Sequence, residues 1–156
     1  MRQYCSRLPT DIGVILIEAS DDAILSVAFV DQKVEPQNAV TIQENDISRQ
    51  GVQQLSEYFA GERTTFSLPL SPTGTAFQQR VWTQLCEVPY GETASYLDIA
   101  KALAKPTATR AVGAANGKNP IAIVIPCHRI IGANGKLTGY AGGLERKSYL
   151  LELESR

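Results

Sequence analysis

Two apolar, β-branched runs open the chain, Gly13-Val14-Ile15-Leu16-Ile17-Glu18-Ala19 and Ala23-Ile24-Leu25-Ser26-Val27-Ala28-Phe29. Ser20-Asp21-Asp22 between them is turn chemistry, so the pattern predicts a β-hairpin. The period then changes. Asn45 or Asp46 can cap a helix running to about Phe59, with Val52, Leu55 and Phe59 at helical spacing and Gly61 just past its end. Thr64 to Leu70 reads as a further short strand. Ser71-Pro72-Thr73-Gly74 is loop composition and marks a junction between residues 1–73 and 74–156. The chain shows no internal repeat and no low-complexity tract.

The second half is patterned for helices. Thr75 with Gln78 resembles a capping box, and Phe77, Val81 and Leu85 follow at spacings of four. Pro89-Tyr90-Gly91 breaks that helix. Ser95 and Asp98 open another, whose Leu97, Ala100 and Leu103 share a face. Lys105-Pro106 ends it, and Thr107 can cap a third helix reaching Asn116 or Gly117. Two short helices joined by a tight turn suggest a helix-turn-helix. On the third helix Ala108, Ala111, Val112 and Ala115 fall on one face, suited to inward packing. The opposite face holds Arg110, Gly113, Ala114 and Gly117, one long cation on a bare backbone. Glycine inside a helix costs about 1 kcal/mol relative to alanine, so it needs a reason. Tight packing against another helix is one. Close approach to DNA is the other, the small residues admitting the backbone to a minor groove while Arg110 enters the base stack.

Composition changes this picture little. The chain has 156 residues, 44% apolar and 20% charged, which is ordinary globular usage for one substantial domain or two small ones. No apolar run approaches the ~18 residues needed to span a bilayer, and Met1-Arg2-Gln3-Tyr4 leads into no signal-like stretch, so a cytoplasmic protein is expected. Charge is less even. Residues 1–73 carry five basic against ten acidic side chains, a net of −5, and residues 74–156 carry ten against six, a net of +4. That segregation points the second half toward an anion, without choosing among anions. Cys5, Cys86 and Cys127 are odd in number and scattered, which argues against a disulfide framework. With His128 as the only histidine and no close cysteine pair, no zinc-type spacing exists and no metal is expected.

The chemistry concentrates late in the chain. Asn119-Pro120 leads into Ile121-Ala122-Ile123-Val124-Ile125, a short buried strand by composition, and then Pro126-Cys127-His128-Arg129. A cysteine at the end of a buried strand beside the only histidine is a candidate activated nucleophile, because thiolate is the reactive species and a nearby base or cation favours it. Strand neighbours point to opposite faces, so His128 would reach Cys127 across a bend or through one water. Cys5 and Cys86 are read as inert buried hydrophobes. After Gly142-Gly143, a C-terminal helix places Leu144, Lys147, Leu150, Leu151 and Glu154 in one stripe. Leucines there face the core, so Lys147 and Glu154 would be partly buried and need partners. Either Glu154 accepts a hydrogen bond from His128, as the third member of a triad does, or it sits on a frayed last turn.

These residues resemble the O6-alkylguanine-DNA alkyltransferases. The resemblance runs through Phe77-Gln78-Gln79-Arg80-Val81-Trp82 and Val88-Pro89-Tyr90-Gly91-Glu92-Thr93-Ala94-Ser95-Tyr96. It continues with Arg110-Ala111-Val112-Gly113, Asn119-Pro120, Ile125-Pro126-Cys127-His128-Arg129-Ile130-Ile131 and Gly139-Tyr140-Ala141-Gly142-Gly143-Leu144, and closes with Lys147 and Leu150-Leu151. It covers residues 74–154; residues 1–73 match loosely, as that family's variable N-terminal domain would.

The resemblance implies an α/β protein, with an RNase H-like N-terminal domain and a winged-helix-like, mainly α C-terminal domain carrying the helix-turn-helix. It implies that Cys127 accepts the alkyl group, that His128 deprotonates it through a water and that Glu154 orients His128. Tyr96 would polarise the departing guanine, Asn119 would brace the turn around the strand, and Lys147 would join the catalytic set. Arg110 would replace the flipped-out base in the DNA minor groove, with Gly113, Ala114, Thr93 and Ser95 beside the duplex. Tyr140, Ala141, Gly142 and Pro126 would line the lesion pocket. The implied partner is double-stranded DNA carrying alkylated bases, met by a monomer without cofactor. O4-alkylthymine is a second lesion of the same kind that such a site would be tested on. A Cys-His-Glu hydrolase would use the same three side chains but would turn over, and a purely structural helix-turn-helix module would need no cysteine beside histidine.

Overall fold

The computed structural model describes residues 3–32 and 43–156; Met1 and Arg2, where the reading of the leader begins, lie outside the described residues. The chain divides into two compact units, Met1–Pro72 and Thr73–Arg156. No helix among the described residues is long and apolar enough to cross a membrane.

In the first unit β1 (Tyr4–Thr10), β2 (Gly13–Ala19) and β3 (Ile24–Phe29) form an antiparallel sheet in that order. The β2–β3 hairpin turns where expected. Ser20 Oγ accepts from the backbone N–H of Asp22 at 3.2 Å and of Ala23 at 3.1 Å. Pattern alone does not announce β1, because one of its buried positions is polar. Ser6 Oγ donates to Ser48 Oγ at 2.8 Å, a contact with a helix 42 residues away. That helix, α1 (Asp46–Phe59), starts at Asn45 with a reciprocal Asn45–Ser48 capping box. It buries Ser48, Gly51, Gln54, Leu55 and Tyr58, so the inward face is rotated away from the expected Val52 and Phe59, which are half-buried. Gly51 is the point of close approach, where a Cβ would lie 3.0 Å from Ile17 Cγ2. The strand expected from Thr64 to Leu70 does not form. Only Leu70 pairs, in a single bridge to Ile24. The Ser67 N–H donates instead to Gln54 Oε1 at 2.9 Å, and Pro69 has no N–H to give a ladder.

The second unit is mainly helical. It holds α2 (Ala76–Leu85), α3 (Tyr96–Ala102), α4 (Thr109–Gly117), α5 (Leu144–Glu154) and a two-residue parallel pair, β4 (Ala94–Ser95) with β5 (Ile130–Ile131). Thr75 and Gln78 cap α2 reciprocally, and Ser95 and Asp98 do the same for α3. Trp82 donates its indole N–H to Ala115 O at 2.9 Å, tying α2 to α4. On α3 the buried residues are Ile99 and Ala100, with Leu103 just beyond; Leu97 is 37% exposed and does not share their face. The α3–α4 turn is a Schellman-type stop, with Lys105 N–H bonded to Ala100 O and Ala104 N–H to Lys101 O, both at 2.9 Å. Ala104 takes the left-handed position at φ 59°. Thr107 is not the cap of α4. The first helical bond, from Val112 N–H, goes to Ala108 O, so Ala108 stands at that position without a side-chain bond. Along α4, Val112, Ala115 and Asn116 are buried, whereas Ala111 joins Arg110, Ala114 and Gly117 on the exposed side. Helix α5 buries Lys147, Leu150, Leu153 and Glu154, with Leu144 exposed and Leu151 half-buried.

Candidate active site

The segment before Cys127 is where reading and structure differ most. Residues 121–125 are buried, apart from a half-buried Ala122, yet form no strand. Val124 N–H donates to Ala122 O at 2.8 Å, closing a three-residue turn around Ile123 at φ 72°. Such positive-φ γ-turns are strained, and a β-branched residue there is an outlier. Pro126, at φ −82° and ψ 64°, centres a second γ-turn of the relaxed kind, with Cys127 N–H bonded to Ile125 O at 2.8 Å. One side chain spans the pair: Asn119 Oδ1 accepts from Ile121 N–H at 3.0 Å, and Asn119 Nδ2 donates to Ile125 O at 2.8 Å. Apolar composition predicts burial correctly here, but the positive φ and the proline rule out a ladder.

Cys127, His128 and Arg129 form a single 3₁₀ turn. With about three residues per turn their side chains radiate in different directions instead of alternating across a strand. His128 is fully buried and its Nε2 lies 2.6 Å from Glu154 Oε2. The same carboxylate accepts from Arg129 Nε at 2.8 Å and Nη2 at 3.1 Å, while Arg129 Nη1 donates to Val88 O at 2.7 Å. Gly91 N–H approaches Glu154 Oε1 at 3.5 Å. The sequence reading names Arg129 in its motif but gives it no role. Its signal was present: a buried Glu154 carboxylate has more lone pairs than one imidazole can satisfy.

This network fixes the histidine's tautomer. A carboxylate only accepts, so Nε2 carries the proton and Nδ1 keeps its lone pair. Nδ1 is buried and has no hydrogen-bond partner among the described residues. Burial pulls the His128 pKa below its ordinary value against the opposing pull of Glu154, and the nearby Arg129 and Lys147 charges lower it further. The imidazole is therefore a neutral base. Burial pushes the Cys127 thiol up, with the Asn119 hydrogen bond and the Lys147 charge opposing it. Lys147, its own pKa lowered by burial, donates to Ile130 O and to Thr138 O, the latter at 3.0 Å.

The remaining candidate residues divide into two groups. Tyr140 has a buried hydroxyl without a hydrogen-bond partner among the described residues, and burial, then the Cys127 charge, raises its pKa well above the ordinary phenol value. Tyr96 Oη lies 2.5 Å from Thr138 Oγ1. Pro126 is buried and Gly142 half-buried. By contrast Arg110, Ala114, Thr93 and Ala141 are exposed, and Ser95 Oγ is engaged in capping α3. A Cβ on Gly113 would lie 3.7 Å from the Tyr96 ring, which is ordinary contact, and one on Gly117 would meet nothing within 4 Å. Tight packing therefore does not account for these two glycines.

Known proteins share both units. Residues 3–72 match the family model for the 6-O-methylguanine DNA methyltransferase, ribonuclease-like domain, and residues 76–156 match that for the 6-O-methylguanine DNA methyltransferase, DNA binding domain. A methylated-DNA–protein-cysteine methyltransferase of Mycobacterium leprae is 48% identical, covering 97% of this chain and 92% of its own. One from Methanosarcina acetivorans is 47% identical over 97% of each chain. Among solved structures, the O6-methylguanine methyltransferase of Mycobacterium tuberculosis is similar with a TM-score of 0.89 and 45% identity, covering 99% of this chain and 93% of that one. A structure of the same organism's protein in complex with DNA has a TM-score of 0.84 and 44% identity over the same shares. With a mixed α/β, ribonuclease-like first unit and a mainly helical DNA-binding second unit matched across nearly its whole length, the chain belongs to the 6-O-methylguanine DNA methyltransferase family.

Proposed function

We propose that this protein repairs DNA by moving the alkyl group of O6-alkylguanine directly and irreversibly onto Cys127. The observation that carries the reading is the buried 3₁₀ turn of Cys127, His128 and Arg129, in which the histidine's Nε2–H is held by Glu154 and its Nδ1 lone pair has no partner among the described residues. His128 takes the thiol proton through a water, Lys147 stabilises the thiolate, and sulfur attacks the saturated alkyl carbon. The S–C bond forms as the O6–C bond breaks. Tyr96 donates to the departing purine, which gains a proton to balance the one lost from sulfur. The product is a thioether with no carbonyl for water to attack, so one molecule repairs one lesion.

An alkylated guanine is hidden in the duplex and must be everted to meet a buried sulfur, at less cost because its pair is already weakened. The exposed α4 surface of Arg110, Ala114 and Gly117, with Gly113 beside it, suits a winged-helix-like domain lying in the minor groove with Arg110 filling the vacated stack. Thr93 and Ser95 would flank it. Tyr140, Ala141, Gly142 and Pro126 would wall the base pocket. On this reading residues 1–73 and 74–156 are separate domains, the second acts on duplex DNA as a monomer, and O4-alkylthymine is a second candidate lesion. The test is label transfer from duplex DNA carrying radiolabelled O6-methylguanine. One equivalent bound to protein and lost in Cys127→Ser is expected. Continuous release of label to water would indicate a hydrolase, and tight binding without transfer a DNA-binding module.

A further inference from the structure

Thr138 is held at three points. Its hydroxyl lies 2.5 Å from Tyr96 Oη, where either oxygen can be the donor. Its carbonyl accepts from the buried Lys147 Nζ at 3.0 Å. Its methyl packs at Gly132, where a Cβ would come within 3.3 Å of Thr138 Cγ2, 3.0 Å of Asn134 Oδ1 and 3.3 Å of Lys136 O. The side chain and the backbone of Thr138 are thus each tied to a different part of the site.

A phenol has one proton to give. If Tyr96 spends it on Thr138, none is left for the departing purine. If Thr138 donates instead, the phenol O–H is free, points away from Thr138, and is polarised into a stronger donor by the bond it accepts. We propose that Thr138 is a positioning residue of the transfer reaction, the donor that sets the Tyr96 hydroxyl toward the leaving base. The assignment rests on the alkyl-transfer reading and adds to it a residue absent from the motifs that carried the resemblance. It also couples the leaving-group donor to the thiolate side of the site, since the backbone of the same residue holds Lys147.

Single-turnover transfer from methylated duplex DNA, followed over a range of DNA concentrations, separates the limiting rate from the apparent dissociation constant. Thr138→Val keeps the shape and removes the donor; the limiting rate should fall about tenfold with the dissociation constant unchanged, as for loss of one hydrogen bond made in the transition state. Thr138→Ser restores the donor and should restore most of the rate. In a Tyr96→Phe background the Thr138→Val step should have no further effect. The assignment is overturned if Thr138→Val transfers as fast as the parent, if its loss lies wholly in binding, if serine is as slow as valine, or if the two losses multiply. Failure of the parent protein to transfer label at all is a different result, and removes the alkyl-transfer reading itself.

Discussion

His128 and Arg129 share one carboxylate, and that arrangement sets the protonation states on which the chemistry runs. Because burial lowers the His128 pKa below 6.5, the imidazole remains a base under mildly acidic conditions. The limiting transfer rate should hold steady as pH is lowered through 6.5 and decline only below it; a rate already halved at pH 6.5 in a stopped-time assay would show an imidazole that is not depressed. Stability responds sooner on the acid side. The unfolded chain takes up the His128 proton near 6.5 while the native chain resists it, so the contribution is intact above that pH. It is lost as pH falls from there to the depressed native value. Urea midpoints of the parent and His128→Gln, compared between pH 7.5 and 5.5, should converge toward the acid side. Arg129→Leu should be severe, because it strands a buried carboxylate; a loss of about 3–5 kcal/mol is expected from urea unfolding. The sequence discloses Cys127, His128 and Glu154 by residue type and helical spacing. Arg129 is legible only indirectly, from the lone pairs of Glu154 that one imidazole leaves over, and Thr138 not at all, since its partner Tyr96 lies 42 residues away and is brought in only by tertiary packing.

Helices were legible because their signals are local. Capping boxes at Thr75 and Ser95 are written in four-residue windows, and the structure has them; the stop after α3 comes earlier than Lys105-Pro106, at Ala102, by the left-handed Ala104. The two strands misread at Thr64–Leu70 and Ile121–Ile125 share a cause: a side-chain amide takes the backbone groups a ladder would need. Gln54 does so at Ser67, and Asn119 at Ile121 and Ile125. The second case has a consequence for the site. Asn119→Ala should free the strained turn around Ile123, leave the buried Ile121 N–H unpaired, strip Ile125 O of one of its two donors and cost about 1–3 kcal/mol in urea unfolding, with transfer slowed even in molecules that remain folded. In the α3–α4 turn the opposite change helps. Ala104 sits in the left-handed region, which costs roughly 1–2 kcal/mol for a residue with a Cβ, so Ala104→Gly should raise the melting midpoint by about 2–4 °C per kcal/mol recovered.

Across the whole chain the charge is divided, −5 over residues 1–73 and +4 over residues 74–156, and the cations Lys101, Lys105, Arg110 and Lys118 are exposed on or beside α3 and α4. Phosphate contacts by these side chains should make duplex binding weaken linearly in a plot of log affinity against log salt. Arg110→Ala should reduce transfer from duplex DNA by about tenfold or more while altering reaction with a free alkylguanine base less than about twofold, since only the duplex must be opened. Equal losses on both would remove Arg110 from that role. The three cysteines fall in three different tryptic peptides, residues 3–7, 81–101 and 119–129. The most direct measurement is therefore mass spectrometry of the protein after incubation with excess O6-methylguanine duplex, read before and after trypsin. The account predicts that each molecule gains one methyl group, that the gain stops there, and that it resides on residues 119–129. A methyl group on Cys5 or Cys86, or repaired DNA in excess of protein, would contradict it.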